Sequence, residues 1–187
     1  MNRQQRMKLI DAQLRAYTIG TIENINDQWV FFDGETEEAS LLDEYLHQEI
    51  EFLRNEKWVK GILFEEGKIG LADEVILLQD QDEVRIRKHL VYSLERLLEE
   101  LHHEVVLQFI KTLNSLKFSI YDCIYCYNHM TFLHKTEQKN GVNFLIFDNQ
   151  ELICTVQHHF SYHEKVNDRF EFTLNNGKRM IVEKLSG

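Results

Sequence analysis

The sequence predicts an α+β protein of two lobes, in which a small β-barrel is followed by a long helix and an antiparallel β-meander. Three observations predict this class. Short strand-like segments recur roughly every ten residues as far as residue 84. Apolar residues then follow a helical spacing over residues 90–116, and alternating segments separated by turn residues return after residue 130.

The first lobe, residues 1–84, is predicted to begin with an amphipathic helix and to continue as short strands. Apolar residues fall at helical spacing near its start: Met7, Ile10 and Leu14. Glycines inside the later strands mark the bends that a tightly curled barrel of about five or six strands requires: Gly20, Gly61 and Gly70. In strand count and glycine placement this lobe looks like an SH3-like small barrel with a leading helix.

One stretch of the first lobe also resembles a known group of proteins. Residues 19–46, "IGTIENINDQWVFFDGETEEASLLDEYL", resemble an uncharacterised family from Bacillus-type bacteria. The resemblance implies a bacterial, cytoplasmic setting. It implies no activity and identifies no functional residue.

A long helix is predicted over residues 90–116, because apolar residues recur there at steps of three or four. They are Leu90, Leu94, Leu97, Leu101, Val105, Phe109, Leu113 and Leu116. A helix of about 28 residues is roughly 42 Å long, which is more than a small domain needs. We therefore expect it either to break near His102–His103 or to connect the two lobes. Its apolar stripe also suits the seam of a homodimer.

The second lobe, residues 85–187, is predicted to end in an antiparallel meander. Its strands are separated by residue pairs that tolerate positive φ and suit two-residue hairpins. These pairs are Asn140–Gly141, Asp148–Asn149 and Asn176–Gly177. The hairpin "RFEFTLNNGKRMIVEKL" is the clearest of these patterns.

Charge limits the classes of partner. The net charge is −10, and it is unevenly spread: residues 1–84 hold 19 acidic and 8 basic residues, whereas residues 85–187 hold 12 acidic and 13 basic ones. This shift predicts a boundary between lobes near residue 85. Nucleic acids and anionic membranes are bound through Lys and Arg patches, so we expect neither as a partner.

The compartment is predicted from apolar runs and from cysteines. No run approaches the roughly 20 apolar residues that cross a bilayer, and the first residues are too polar for a signal-peptide core, so we expect a cytoplasmic protein. The chain has three cysteines, which is an odd number. We expect free thiols in such a compartment, unless a metal binds them.

The stretch "YDCIYCYNHM", residues 121–130, is the one motif that suggests chemistry. Its C-x2-C pair supplies half of a zinc site, for which Cys123, Cys126, His159 and His163 are the candidate ligands. His129, Cys154 and His158 are further residues that could complete it. The cluster "VQHHFSYH" would then act with Cys123 and Cys126 in a zinc-binding protein or a metal-dependent hydrolase.

Two other interpretations of the C-x2-C pair stay open. A thiol oxidoreductase needs a thiolate at a helix N-terminus after a strand, and no such context is visible. Free cysteines are otherwise among the most buried residues and pack as small apolar side chains. The apolar flanks Ile124, Tyr125 and Tyr127 favour this packing role.

Catalytic motifs are missing: the sequence has no G-x-S-x-G, no P-loop and no G-x-G-x-x-G. No catalytic or cofactor-binding residue is therefore predicted, and zinc is the one alternative cofactor. The leading hypothesis is a non-enzymatic protein-interaction or regulatory module that binds a protein partner or a second copy of itself. Aromatic residues such as Trp29 and Trp58 fit either a peptide groove or the core of the first lobe.

Overall fold

A computed structural model describes residues 3–133, 139–163 and 166–186. The chain forms two compact units. Unit A comprises residues 16–88, and unit B comprises residues 1–15 together with residues 89–187. Charge divides between these units, since unit A holds 18 acidic and 7 basic residues, a net charge of −11, and unit B holds 13 acidic and 14 basic ones, a net charge of +1.

The predicted α+β class is wrong, because the protein is mostly β. Among the described residues, strands are much more extensive than helices, and they form two antiparallel sheets. The α-helices of the described residues are short and lie in unit B: α1 (Arg3–Asp11), α2 (Tyr92–Glu100) and α3 (His103–Ser115).

Unit A consists of short antiparallel strands. They are β1 (Tyr17–Ile25), β2 (Gln28–Asp33), β3 (Ala39–Leu41), β4 (Glu49–Arg54), β5 (Lys57–Phe64), β6 (Lys68–Gly70), β7 (Val75–Leu77) and β8 (Glu83–Arg87). They form sheet A in the order β3-β2-β1-β8-β4-β5-β6-β7. One face of the sheet holds the core of the unit, which includes Ile22, Phe31, Ile50, Leu63, Ile69 and Val84.

The predicted SH3-like barrel of five or six strands is not confirmed: sheet A has eight strands, and one of them, β8, was not predicted from the sequence. This strand lies in the middle of sheet A, between β1 and β4. Its sequence "EVRIR" places Val84 and Ile86 in the core and charged residues on the other face. Two apolar residues are too few for a strand to be predicted from the sequence alone.

The predicted long helix of residues 90–116 is also wrong. The segment forms α2 and α3, with Leu101 and His102 in extended conformation between them, so the alternative of a break near His102–His103 is the one observed. The break allows the apolar sides of both helices to be buried against the same sheet.

Unit B is built on a five-stranded sheet. Its strands are β9 (Cys123–Tyr127), β10 (Lys139–Asp148), β11 (Ile153–Tyr162), β12 (Val166–Leu174) and β13 (Arg179–Ser186). They form sheet B as a meander in the order β13-β12-β11-β10-β9. The inner face of sheet B packs against α2 and α3, and its outer face is not covered by a described helix of this unit.

Two contacts show how unit B is held together. Phe109 of α3 stacks on Phe170 and Phe172 of β12, with ring centroids 5.1 and 6.1 Å apart. Arg15, which follows α1, forms hydrogen bonds of 2.6 and 2.5 Å to the two carboxyl oxygens of the buried Asp122. The segment after α1 is therefore joined to unit B by a bidentate ion pair.

The apolar stripe of residues 90–116 is buried in this unit from Leu94 to Leu116. A homodimer through that stripe stays a prediction, but its seam would require side chains that the protomer already buries. None of the described helices has both the length and the apolar character needed to span a bilayer.

Candidate functional site

The two cysteines of the C-x2-C motif lie on β9 and both face the buried side of sheet B. Residues three apart on a regular strand point to opposite faces. Here the register between β9 and β10 shifts between Ile146 and Phe147, so that Cys126 pairs with Leu145 and Cys123 with Phe147. This bulge turns both sulfurs inward, where each cysteine is only 8% exposed.

The candidate histidine ligands lie elsewhere. His159 alternates with the buried His158 on β11 and therefore faces the outer side of sheet B, away from the cysteines. His163 follows β11, where its Nε2 lies 3.4 Å from Nδ2 of Asn140. No group of three or more His, Cys, Asp or Glu side chains able to hold a metal occurs among the described residues. The zinc hypothesis stays a prediction that this geometry does not support.

Burial also decides the chemistry of the thiols. It raises the pKa of Cys123 to about 12 and the pKa values of Cys126 and Cys154 to about 11. At neutral pH the thiol form is therefore favoured over the nucleophilic thiolate. This environment is the opposite of the one that a thiol oxidoreductase needs.

A chain of buried polar side chains crosses the inner face of sheet B instead. Nδ1 of His158 lies 3.0 Å from Nδ2 of Asn143, and Nε2 of His158 lies 2.8 Å from Oδ1 of Asp168. All three residues are at most 1% exposed. The His158 ring also stacks on Phe170 at a centroid distance of 4.2 Å.

Hydrogen bonding determines the tautomer of His158. The backbone N–H of His129 donates to Oδ1 of Asn143 at 2.7 Å. The NH2 group of Asn143, Nδ2, is therefore the part that faces His158. Nδ1 of His158 then accepts a hydrogen bond and Nε2 donates one to Asp168. A second proton, on Nδ1, would face the NH2 group of Asn143, which is also a donor. This arrangement therefore favours the neutral form of the His158 imidazole.

Asp168 also binds Tyr162. The Tyr162 hydroxyl donates to Oδ1 of Asp168 at 2.7 Å. Burial, this hydrogen bond and the charges of Asp168 and Glu100 raise the pKa of Tyr162 well above its usual value. The other carboxyl oxygen of Asp168, Oδ2, is buried without a hydrogen-bond partner among the residues that the structure describes.

This chain of side chains does not have the geometry of a Ser-His-Asp site. A Ser-His-Asp type of site needs one ring nitrogen directed at a nucleophile. Here Asn143 occupies that position, and His158 is fully buried. The cluster therefore pairs the buried side chains of Asn143 and His158 within the core of unit B and leaves Oδ2 of Asp168 without a described partner.

Unit B is expected to lose stability as the pH falls below about 6.5, the ordinary pKa of histidine. Burial, partly opposed by Asp168, lowers the pKa of His158 in the folded protein. Below about pH 6.5 the unfolded chain therefore binds a proton that the folded chain does not. The contribution of His158 is fully present above that pH, and it is lost at no more than about 1.4 kcal/mol per pH unit as the pH falls.

Urea unfolding between about pH 7 and about pH 5 tests this expectation. Unfolding is followed by the circular dichroism of the α-helices, which lie in unit B among the described residues. His158→Gln cannot titrate and should show a smaller loss. Equal losses in both proteins would assign the pH dependence to other groups.

The outer face of sheet B carries an exposed apolar surface beside β9. We call it the aromatic surface, and it consists of Ile124, Tyr125, Tyr127, Phe132 and Phe144, whose exposed fractions range from 40% to 65%. Tyr127 lies opposite Phe144 in the register of β9 and β10, and its ring stacks on Phe132 at a centroid distance of 6.0 Å. The aromatic surface is therefore continuous.

Uncharged residues surround this surface on the neighbouring strand. Gln157 pairs with Phe144, and Thr155 pairs with Ile146, which in turn pairs with Tyr125. These pairs form two cross-strand rows over β9, β10 and β11, one through Tyr127, Phe144 and Gln157 and one through Tyr125, Ile146 and Thr155. No residue in either row is charged. Single exposed apolar residues are ordinary on a protein surface, whereas adjoining ones mark interaction sites.

The sequence contains a signal for this surface, because three large apolar residues flank the C-x2-C motif, but their apolar character predicts burial in the core. Ile124, Tyr125 and Tyr127 are the flanks of the C-x2-C motif, and they were expected to be buried with it. The bulge in β9 reverses this assignment, because it directs the cysteines inward and the flanking residues outward. Side chains alternate between the two faces of a regular strand, and a bulge interrupts this alternation. The residues that share a face of β9 therefore cannot be predicted unless the position of the bulge is known.

Comparison with known proteins adds three findings. A family model described as a protein of unknown function, DUF2777, matches residues 4–184. The uncharacterized protein YisN of Bacillus subtilis (strain 168) is 31% identical over 179 residues, which cover 95% of this chain and 91% of that protein. No solved structure matches the chain.

Proposed function

The chain belongs to the DUF2777 family, and we propose that it is a protein-interaction module that binds a different protein through the aromatic surface of unit B. The membership confirms the resemblance to an uncharacterised family of Bacillus-type bacteria. The proposal rests on one observation: large apolar side chains adjoin one another on a sheet face that no described helix of the unit covers.

The chemistry of the surface favours a protein partner. Tyr and other aromatic residues are enriched at the centres of protein interfaces, where they bury a large area at a low cost in side-chain entropy. Exposed aromatics on a sheet also suit the stacking of nucleic-acid bases, but that mode needs Lys and Arg along the backbone of the nucleic acid. The cross-strand rows around Tyr125 and Tyr127 provide Thr155 and Gln157 instead. We therefore expect the partner to present an apolar, uncharged surface.

Site-specific photocrosslinking in cells tests the proposal. A benzophenone amino acid replaces Tyr125 of the aromatic surface in one protein and Tyr92 in a matched control, since both tyrosines are exposed and Tyr92 lies on α2. We expect a discrete adduct from position 125 that is absent from position 92. The protein in that adduct is identified by mass spectrometry and purified for binding measurements.

The binding measurement then assigns the contact. Replacing Tyr127 and Phe144 together by alanine is expected to weaken the affinity for the purified partner at least tenfold, about 1.4 kcal/mol, as for residues at the centre of an interface. Unchanged affinity, equal adducts from positions 125 and 92, or an adduct that contains only this chain would overturn the proposal.

A further inference from the structure

Strand β13 leaves one edge of sheet B open, and we propose that two copies of this chain pair through it, antiparallel and centred on Ile181. The inference goes beyond the proposed function, because it concerns a different edge of the sheet and a different partner. β13 is hydrogen-bonded to β12 along one side, and no described strand pairs with its other side. A row of unpaired backbone N–H and C=O groups is a template for another strand.

The two edges of sheet B differ in how well they suit such pairing. β9, at one edge, has 5 residues and a bulge in its register, and bulges protect edges from further pairing. β13, at the other edge, has 8 residues and pairs with β12 without a register shift. β13 is therefore the more regular template, and a twofold axis on Ile181 pairs its residues 179–183 with the same residues of the second copy.

Charge determines the register of the proposed pair. In an antiparallel pair related by a twofold axis through Ile181, Arg179 lies opposite Glu183 of the second copy, and the same pair forms again on the other side of the axis. Arg179 forms no ion pair with a described residue in the protomer. Opposite charges directly across from each other stabilise a strand pair. The axis itself brings two Ile181 side chains together, each 58% exposed in the protomer.

Neighbouring registers lose this complementarity. Moving the axis by one residue, to Met180 or Val182, places Ile181 opposite Arg179 or Glu183, so that a charged and an apolar side chain meet. With the axis on Ile181, Met180 lies opposite Val182 of the second copy on the inner face. Both residues are only half-buried in the protomer, where they pack at the margin of the core.

The net charge of unit B does not oppose the contact. Unit B, which contains β13, has a net charge of +1, whereas the acidic residues that dominate the whole chain lie in unit A, with a net charge of −11. Two lysines flank the contact: Lys184 is bound by Glu104 of α3 in the same protomer, and Lys178, which precedes β13, lies opposite Lys184 of the second copy. Association through unit B therefore brings together two nearly neutral surfaces.

The pairing has a consequence for the shape of the assembly. It joins two five-stranded sheets into one of ten strands, with β9 at each end. Nine strand spacings separate the two copies of β9, which corresponds to roughly 43 Å along the sheet. The dimer would present two aromatic surfaces to a repeated or dimeric partner.

Ile181→Lys is the first test, with Ile153→Lys as a control on the same outer face. Two lysines meet on the axis in the first variant only. Ile181 lies opposite Glu171 on β12, so a lysine there has a carboxylate partner within the protomer and the fold should be retained. We expect sedimentation velocity to show a concentration-dependent dimer for the unmodified chain and for Ile153→Lys, and a monomer for Ile181→Lys.

A cysteine pair tests the register itself. Ile181→Cys places two thiols directly opposite each other, within reach of a disulfide. Arg179→Cys places them about 14 Å apart along the strands, which is too far. With oxidised glutathione as oxidant we expect a disulfide-linked dimer from position 181 and not from position 179. A monomer at all concentrations, a dimer that persists in Ile181→Lys, or equal crosslinking at both positions would overturn the proposal.

Discussion

Replacing Phe109 by alanine is expected to lower the free energy of unfolding of unit B by about 4 kcal/mol. Phe109 is 1% exposed, and its ring packs on Phe147, Phe170 and Phe172 at centroid distances between 5.1 and 6.2 Å. Truncation removes the contact of α3 with two strands of sheet B. It also leaves a cavity that rigid aromatic neighbours fill poorly.

The chain provides separate readouts for this measurement. Both tryptophans, Trp29 and Trp58, lie in unit A, so their fluorescence reports on that unit. The three cysteines are buried in unit B, so their reaction with a thiol reagent reports on its opening, as does the helical circular dichroism. Phe132→Ala is the matched control, because Phe132 is 65% exposed. Equal effects of the two variants would contradict the packing described for α3.

Replacing Asp168 by alanine is expected to destabilise unit B by about 3 kcal/mol. Two donors, Nε2 of His158 and the hydroxyl of Tyr162, lose their acceptor at once. The change leaves the buried N–H of His158 without an acceptor, which costs about 1–3 kcal/mol, and removes a further hydrogen bond from Tyr162. Truncation also leaves a small void beside Phe160, its cross-strand neighbour on β11.

Asp168→Asn separates hydrogen bonding from mere burial. Asparagine has the shape of aspartate and keeps a carbonyl oxygen for His158 and Tyr162, so its cost should be clearly smaller than that of alanine. Urea unfolding of both variants at neutral pH, followed by thiol reactivity, gives the comparison. If the two substitutions were equally costly, Asp168 would not stabilise the fold through the acceptor that it offers.

Element type was predictable where a segment buries one face. The meander of sheet B is an example, because the turn at Asn176–Gly177 and the alternating apolar residues have local causes. The turn predicted at Asn140–Gly141 is wrong, because both residues lie within β10 and pair with β11. β8 was missed, because two apolar residues among three charged ones suffice for a strand that other strands flank on both sides. The break between α2 and α3 falls at Leu101 and His102, where the apolar spacing continues and no proline or glycine interrupts the helical pattern.

The candidate site shows the same division. His158 and Asp168 are ten residues apart in the sequence and meet only because β11 and β12 pair in one register. The C-x2-C motif was visible in the sequence, but its interpretation depended on a bulge that β10 imposes on β9. The aromatic surface follows from that bulge.

By itself, the sequence determined the charge difference along the chain, the resemblance to an uncharacterised family and the turns of the meander near Asp148–Asn149 and Asn176–Gly177, because each depends on composition or on neighbouring residues. Only the tertiary structure decided which side of β9 faces solvent, that residues 90–116 form two helices, and that a neutral His158 is buried against Asp168. These features depend on pairing between distant strands, and a one-residue change of register reverses the face of every side chain that follows.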